Sequence, residues 1–252
     1  MSKIPRWRTP VAALLLSLCA FAAHASVVLN GTRVIYPEAE PEVTLRLTNE
    51  GDAPALVQAW VDDGDAAATP EQSHTPFTLA PPLFRLDPGN GQTLRIIHLQ
   101  QPLPRDRESL FWLNVLEVPP MAAGNTEAQN SLQFAFRSRI KLMFRPTGLP
   151  GDANRAPREV TWRFVRKEDG SGALAVTNPT PYHITFTRIE AAAYRNDVAT
   201  MVAPRETIEL PMGDTPIAPG TPAEVRYTTL NDFGAAAEGV YQSGSTRDTG
   251  EE

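Results

Sequence analysis

The chain has almost no sulfur chemistry available to it. Its 252 residues include a single cysteine, Cys19. One thiol cannot close an internal disulfide, and if Cys19 leaves with a leader, cysteine nucleophiles, thiolate metal sites and redox chemistry leave with it. Histidine is scarce too, with His74, His98 and His183 beyond the first 25 residues. Ser109 lies near Asp106 and Glu108 but has no histidine at a spacing that would activate it. Asp62-Asp63-Gly64-Asp65 resembles a calcium loop only in composition. It lacks the ligand spacing and closing glutamate and reads as a hairpin turn. No enzyme activity, metal or cofactor is expected. Basic charge is also in deficit, with 23 Lys and Arg against 29 Asp and Glu, a formal charge of −6. Such a chain is a poor general binder of nucleic acid. No stretch carries a clear helical period, and the one long apolar run, Val11 to Phe21, is too short to span a membrane.

That run belongs to a leader. Lys3, Arg6 and Arg8 precede it, and Ala23-His24-Ala25 follows as a small-x-small cleavage site. Residues 1–25 therefore read as a secretory signal peptide, with the mature chain starting at Ser26. Cys19 raises a lipoprotein alternative, but Leu18 stands where a lipoprotein signal wants a small residue. Loss of the three basic leader residues takes the formal charge from −6 to −9.

Strand signals fill the rest. Val43 to Thr48, Leu56 to Val61, Thr93 to Ile97 and Leu132 to Leu142 alternate apolar and polar residues, each bounded by turn formers such as Asn49-Glu50-Gly51-Asp52 and Asp87-Pro88-Gly89-Asn90-Gly91. Short strands at this spacing predict an all-β fold of sandwich type. From Pro146 to Pro157 apolar residues are few and turn formers many, as in a linker. A second set of runs follows: Val160 to Val165, Ala173 to Val176, His183 to Phe186, Thr207 to Leu210 and Val225 to Tyr227. The expected organisation is a first domain over 26–145, a linker over 146–157, a second domain over 158–241 and a disordered tail over 242–252. Two loops stand out in the first domain, Ala66 to His74 and Met121 to Ser131.

One strand asks for a partner. In Leu132 to Lys141, Leu132, Phe134 and Phe136 share a face with Ile140, while Gln133, Arg137, Arg139 and Lys141 take the other. On pattern alone this is an ordinary half-buried strand with its basic residues in solvent. Its place as the last strand before the linker is one where sheet edges often lie, and a long apolar edge is a hazard unless covered or used. One use is strand addition, in which a partner pairs with the free backbone groups and buries alternate side chains. Three large apolar side chains would contribute roughly 5–9 kcal/mol before association costs.

Several motifs in order then carry a resemblance: Gly31-Thr32-Arg33-Val34-Ile35-Tyr36, Pro81-Pro82-Leu83-Phe84-Arg85-Leu86, Asp106 to Asn114, Ile140-Lys141-Leu142-Met143-Phe144-Arg145-Pro146, Asn178-Pro179-Thr180-Pro181-Tyr182 and Asn231-Asp232-Phe233-Gly234. Over nearly the whole mature length the chain resembles the periplasmic pilus (fimbrial) chaperones, the PapD-like proteins of the chaperone–usher pathway. Strand lending is an established property of that family. The resemblance implies two immunoglobulin-like β-sandwich domains in an L or boomerang arrangement. It implies a periplasmic protein that stabilises pilus subunits by donor-strand complementation and delivers them to an outer-membrane usher. Arg33 and Lys141 match the two basic residues that bind a subunit's C-terminal carboxylate. Leu132, Phe134 and Phe136 match the donated apolar residues, and Glu108, Arg145 and Asp232 match a buried charged trio between the domains. The loop before Leu132 and the cysteine-free mature chain point to the short-loop subclass, which mostly serves rod-like pili with adhesive tips. Met143 and Phe144 depart from the usual aromatic pair, and the segment after Gly234 has no family pattern.

Simple alternation sets Lys141 opposite Phe134, so the resemblance requires a twist or bulge in the strand, or a subunit that wraps its end. When no subunit is bound, self-association that hides the strand is expected. Two other readings remain: the same fold serving a non-pilus surface polymer, and an exported β-sandwich fibre subunit or adhesin. The last is usually a single incomplete domain with an N-terminal donor segment and often a disulfide; two complete domains and a mature chain without cysteine argue against it.

Overall fold

The structure is a computed structural model, and it describes residues 26–120, 134–213 and 219–243. The leader with Cys19, the loop from Met121 to Ser131, Leu132 with Gln133, and the tail beyond Ser243 lie outside the described residues.

The first half folds as nine strands: β1 (Val27–Leu29), β2 (Arg33–Pro37), β3 (Val43–Asn49), β4 (Ala55–Asp62), β5 (Phe77–Ala80), β6 (Leu83–Leu86), β7 (Gly91–His98), β8 (Ser109–Val118) and β9 (Phe136–Arg145). They form two facing sheets, one in the order β1-β3-β7-β5 and one in the order β2-β9-β8-β4-β6. The period-two pattern does what it predicts. In β3, Leu45 and Leu47 are buried while Thr44 and Arg46 are exposed, and in β7, Leu94 and Ile96 are buried between exposed Thr93 and Arg95. Leu47, Val57, Leu94, Ile96, Leu113 and Leu142 make the centre of one core. Asp62 to Asp65 is not the hairpin turn its composition predicts. The chain leaves β4 in one sheet and enters β5 in the other. Turn formers specify a local reversal but not which strand lies beyond it, and here the loop crosses between layers.

The second half has eight strands: β10 (Thr161–Arg166), β11 (Gly172–Thr177), β12 (Ile184–Ala191), β13 (Tyr194–Asn196), β14 (Thr200–Val202), β15 (Thr207–Pro211), β16 (Glu224–Leu230) and β17 (Ala236–Gln242). Their sheets run β10-β11-β15 and β13-β12-β16-β17, with β14 also on β12. The separate core is built around Trp162, Phe186 and Tyr227, whose ring centroids lie 5.3–5.9 Å apart. Ala156 is fully buried in this core, and Leu149 and Ala153 pack on it, so much of the stretch between the sandwiches rests on the second one. β17 gives a place to the residues after Gly234 that matched no pattern, and Gln242 is its last residue. Among the described residues no helix is long and apolar enough to cross a membrane.

The end of the first core nearest the second sandwich is aromatic. Tyr36, Phe77, Phe144 and the imidazole of His98 pack together, with His98 4.7 Å from Phe144. His98 Nε2 is buried without a hydrogen-bond partner. Burial holds the imidazole below its usual range, and a backbone contact with Gln101 and the charge of Glu38 offset this only in part. A histidine kept neutral in the folded state contributes stability that is complete above its unfolded value and lost as pH falls towards the depressed folded value. Urea unfolding should therefore give a lower free energy at about pH 5.5 than at about pH 7.5, and His98→Phe should reduce that difference.

Candidate functional site: a half-covered strand ending on two cations

β9 is not an edge strand along its whole length, as its position before the linker had led us to expect. β2 runs parallel to its second half, pairing Arg33 with Lys141 through to Pro37 with Arg145. β8 pairs antiparallel with it from Phe136, opposite Glu117, to Phe144, opposite Ser109. Among the described residues, the outer edge of Phe136 to Ile140 has no strand beside it. The coverage came from β2, about a hundred residues earlier in the chain, and no local signal reports such a pairing.

Exposure follows the same division. Phe134 and Phe136 are 60% and 52% exposed, Ile140 is partly buried, and Leu142, Met143 and Phe144 are buried. The strand thus leaves its own core as it is followed back from Arg145, and its last two described aromatics project beyond it. The β8–β9 register is continuous. No bulge turns Lys141 towards the face of Phe134, so alternation holds and the cation lies on the outer face of the sheet with Arg137 and Arg139.

On that face, where β2 begins, Arg33 and Lys141 sit side by side. Lys141 Nζ donates to Thr185 Oγ1 in β12 at 2.8 Å, and Arg33 Nη1 donates to the Leu230 carbonyl at the end of β16 at 3.2 Å. Both cations therefore occupy the junction between the sandwiches. Arg33 Nε is buried with no partner, and no carboxylate lies within ion-pair distance of either group among the described residues. Burial, and then the charge of Arg33, pull Lys141 down to about 8. Burial also lowers Arg33, against the longer-range pull of Asp232 and Glu108. Two partly desolvated cations with donors to spare make a site that an anion would relieve.

The nearby carboxylates are already engaged. Arg145 donates from Nε to Glu108 at 2.7 Å, and its two terminal nitrogens fork onto Asp232 at 2.7 and 2.9 Å. The other Glu108 oxygen accepts from the backbone N–H of His183 at 2.8 Å. Burial opposes the charge of Arg145, but the Asp232 and Glu108 contacts more than offset it and hold the guanidinium above its ordinary range. The structure thus brings together Glu108, just before β8, Arg145 at the end of β9 and Asp232 in the β16–β17 turn. That turn needs Gly234, with φ +79°, since a Cβ there would lie 2.3 Å from Thr32 Oγ1. An exposed pair, Arg205 with Asp106 at 2.6 Å, adds a second tie between the halves.

Sequence reasoning missed one feature of this face. Asp62 is wholly buried and meets Arg139, while Asn114 meets Arg137. The usable signal was Trp60 and Asp62 at alternate positions ending a strand, but Asp62 stood among turn formers and was read with them.

The fold and site thus define a two-sandwich protein in which, among the described residues, half of one strand's outer edge is unpaired. Comparison with known proteins agrees with that class. Residues 26–150 match the family model described as pili and flagellar-assembly chaperone, PapD N-terminal domain, and residues 155–241 match that of the pili assembly chaperone PapD, C-terminal domain. A chaperone protein FimB/FhaD of Bordetella pertussis is 46% identical over 242 residues, covering 91% of this chain and 95% of the relative. The crystal structure of the YadV chaperone is 39% identical, with a TM-score of 0.68 over 86% of this chain and 99% of that one. A SafB chaperone solved in complex with the Salmonella enterica SafA pilin has a TM-score of 0.71 at 29% identity, over 86% and 96%. The chain belongs to the PapD family of pilus-assembly chaperones, and its work is the chaperoning of pilus subunits. Matches to both domains do not fit the single-domain fibre subunit that the sequence had left open.

Arg145→Ala would leave Glu108 buried without its cation. Urea unfolding at neutral pH should register a loss of about 3–5 kcal/mol, while Arg205→Ala at the exposed pair should leave the unfolding curve nearly unchanged.

Proposed function

We propose that the protein lends the open edge of β9 to pilus subunits in the periplasm and hands them to an outer-membrane usher. The observation that carries this is the conjunction on one strand, among the described residues, of an unpaired edge at Phe136–Ile140 and a cation pair without an anion at Lys141. A subunit lacking a strand would pair its backbone with that edge and close its core over Phe134 and Phe136. Each ring is about half exposed or more, and full burial would contribute roughly 1.5–3 kcal/mol apiece. Leu132, outside the described residues, would extend the apolar series by one position. No ATP is needed, because the driving force is the subunit's own missing pairing.

The carboxylate at the subunit's chain end would settle on Arg33 and Lys141. Arginine offers a fork and lysine a point charge, and a chain end held there fixes the register of every residue paired upstream. Since Lys141 is on the outer face, the subunit's end must pass around the strand where β2 begins to cover it. This is the wrapped geometry that alternation demands. In the same reading Glu108, Arg145 and Asp232 set the angle between the sandwiches, and so the width of the cleft that receives the carboxylate. The signal peptide expected over 1–25 supports export, and the free edge supports self-association when no subunit is bound.

Arg33→Ala and Lys141→Ala should fold normally and lose at least about 10-fold in subunit affinity, measured by co-purification and titration. Binding a carboxylate favours protonated Lys141, so affinity should be flat below about pH 8 and fall above it, with proton uptake on binding. Lys141→Arg should remove that pH dependence. Undiminished capture by the alanine variants would exclude the carboxylate anchor.

Phe134→Asp should abolish subunit capture while shifting the melting temperature by no more than about 2 °C, because the ring lies outside the protein's own core. A large drop in melting temperature would instead assign Phe134 to that core.

A further inference from the structure

The back of the lent strand carries an arrangement that the lending reading does not use. The register sets Asp62, Trp112, Lys141 and Arg33 in one row across β4, β8, β9 and β2, and Trp60, Asn114 and Arg139 in the next. Arg137 stands one row further out, opposite Leu116. Each arginine leans one row towards Lys141. Arg139 forks onto Asp62, Nε at 2.9 Å and Nη2 at 2.5 Å, with its guanidinium 4.1 Å from the centroid of the Trp112 ring. Arg137 gives both Nε and Nη2 to Asn114 Oδ1, at 2.9 and 2.7 Å, and lies 4.6 Å from the Trp60 ring. Its Nη1 donates to the Ala66 carbonyl at 2.7 Å, in the loop between β4 and β5.

The receiving end is fixed. The Asp62 side chain has no solvent exposure. Asn114 Nδ2 donates to it at 2.7 Å and the Gly64 N–H at 2.8 Å. Burial opposes its ionisation, but the bonds from Arg139, Asn114 and Gly64 outweigh it and hold the carboxyl below its usual range. The loop is tied to β4 as well, by Trp60 Nε1 to the Ala68 carbonyl at 3.2 Å and by the Ser73 hydroxyl to the Val61 carbonyl.

The strand needs such a hold where it has it. Phe136, Arg137 and Ser138 are all exposed, and among the described residues only β8 pairs with them. A segment with one backbone neighbour and no core burial opens easily. Bidentate guanidinium contacts and indole stacking oppose that opening from the side away from the client. Lysine could not replace these arginines, since the fork and the flat stacking surface would both be lost.

We infer that Arg137 and Arg139, through Asn114 and Asp62, are positioning residues that hold the lent section of β9 extended and in register on β8 before a client arrives. The inference rests on the strand-lending reading above. It assigns the gain to preorganisation: a strand already ordered has less freedom to lose when the client pairs with it.

The test uses two variants. Arg137→Gln leaves no buried charge behind, and Asp62→Asn combined with Arg139→Gln replaces the ion pair by amides of similar shape, so both should fold. The first measurement is hydrogen exchange of the free protein at residues 136–140. The second is the capture rate of the major fimbrial subunit of the same bacterium, refolded from urea beside each variant, with Phe134→Asp as control. The expected result is exchange about 10-fold faster in that section, capture about 10-fold slower, and a melting temperature within about 3 °C of wild type. Unchanged exchange would show that the arginines do not hold the strand. Faster exchange with capture at the wild-type rate would show that the hold is not used. In either case an inert Phe134→Asp would leave the lending reading intact. Wild-type capture by Phe134→Asp would overturn the lending reading and this inference together.

Discussion

Among the described residues β9 has two backbone neighbours from Lys141 to Phe144 and one from Phe136 to Ile140. The rest of the molecule is arranged around that change. Where β2 lies alongside, the strand is part of the first core, with Leu142 and Phe144 buried among Tyr36, Phe77 and Leu113. Where β2 is absent, backbone groups and two aromatic rings face outwards. An edge of this kind is unfavourable in isolation, and its persistence in a folded protein is reasonable only if something else completes it. The point at which β2 begins is also the point at which Arg33 and Lys141 meet, so the end of the open edge and the cation pair are set by the same pairing.

Charge divides the molecule into satisfied and unsatisfied centres. Glu108 and Asp232 share the one guanidinium of Arg145, and Asp62 pairs with Arg139 on the outer face of the sheet. Among the described residues Arg33 and Lys141 meet only uncharged partners, carbonyl and hydroxyl oxygens and, for Lys141, the Trp112 ring. Buried ion pairs add little net stability, because desolvation consumes most of their attraction, but they hold geometry. The pairs here join the entry to β8, the end of β9 and the second sandwich, or β4 and β9. The unpaired cations lie between those two fixed clusters.

Much of the fold was legible in local patterns. Alternation in Val43 to Thr48, Thr93 to Ile97 and Val160 to Val165 gave strands close to β3, β7 and β10, because a half-buried strand must show one face to water. Other features were not legible. Asp62 read as a turn residue, since its neighbours Asp63, Gly64 and Asp65 favour turns whatever lies beside them. The half-covering of β9 was misjudged as a full edge, because its cause is a parallel strand from the other end of the domain. β17 was missed because Ala236 to Gln242 is mostly exposed and Gly239 interrupts it. Its identity as a strand comes from seven paired positions with β16 rather than from any apolar face.

The order of residues therefore determines the leader-like pattern over 1–25 and the short amphipathic strands that follow, because each of those patterns depends on neighbours a few positions apart. It also determines which side chains of β9 share a face, since alternation is a property of the extended backbone itself. Which half of β9 remains open, which cations lack a counter-charge and which arginines are pinned from behind were decided only by the tertiary structure. Those outcomes depend on pairing among strands up to a hundred residues apart, and a hydrogen-bonded neighbour leaves no mark on the sequence of the strand it covers.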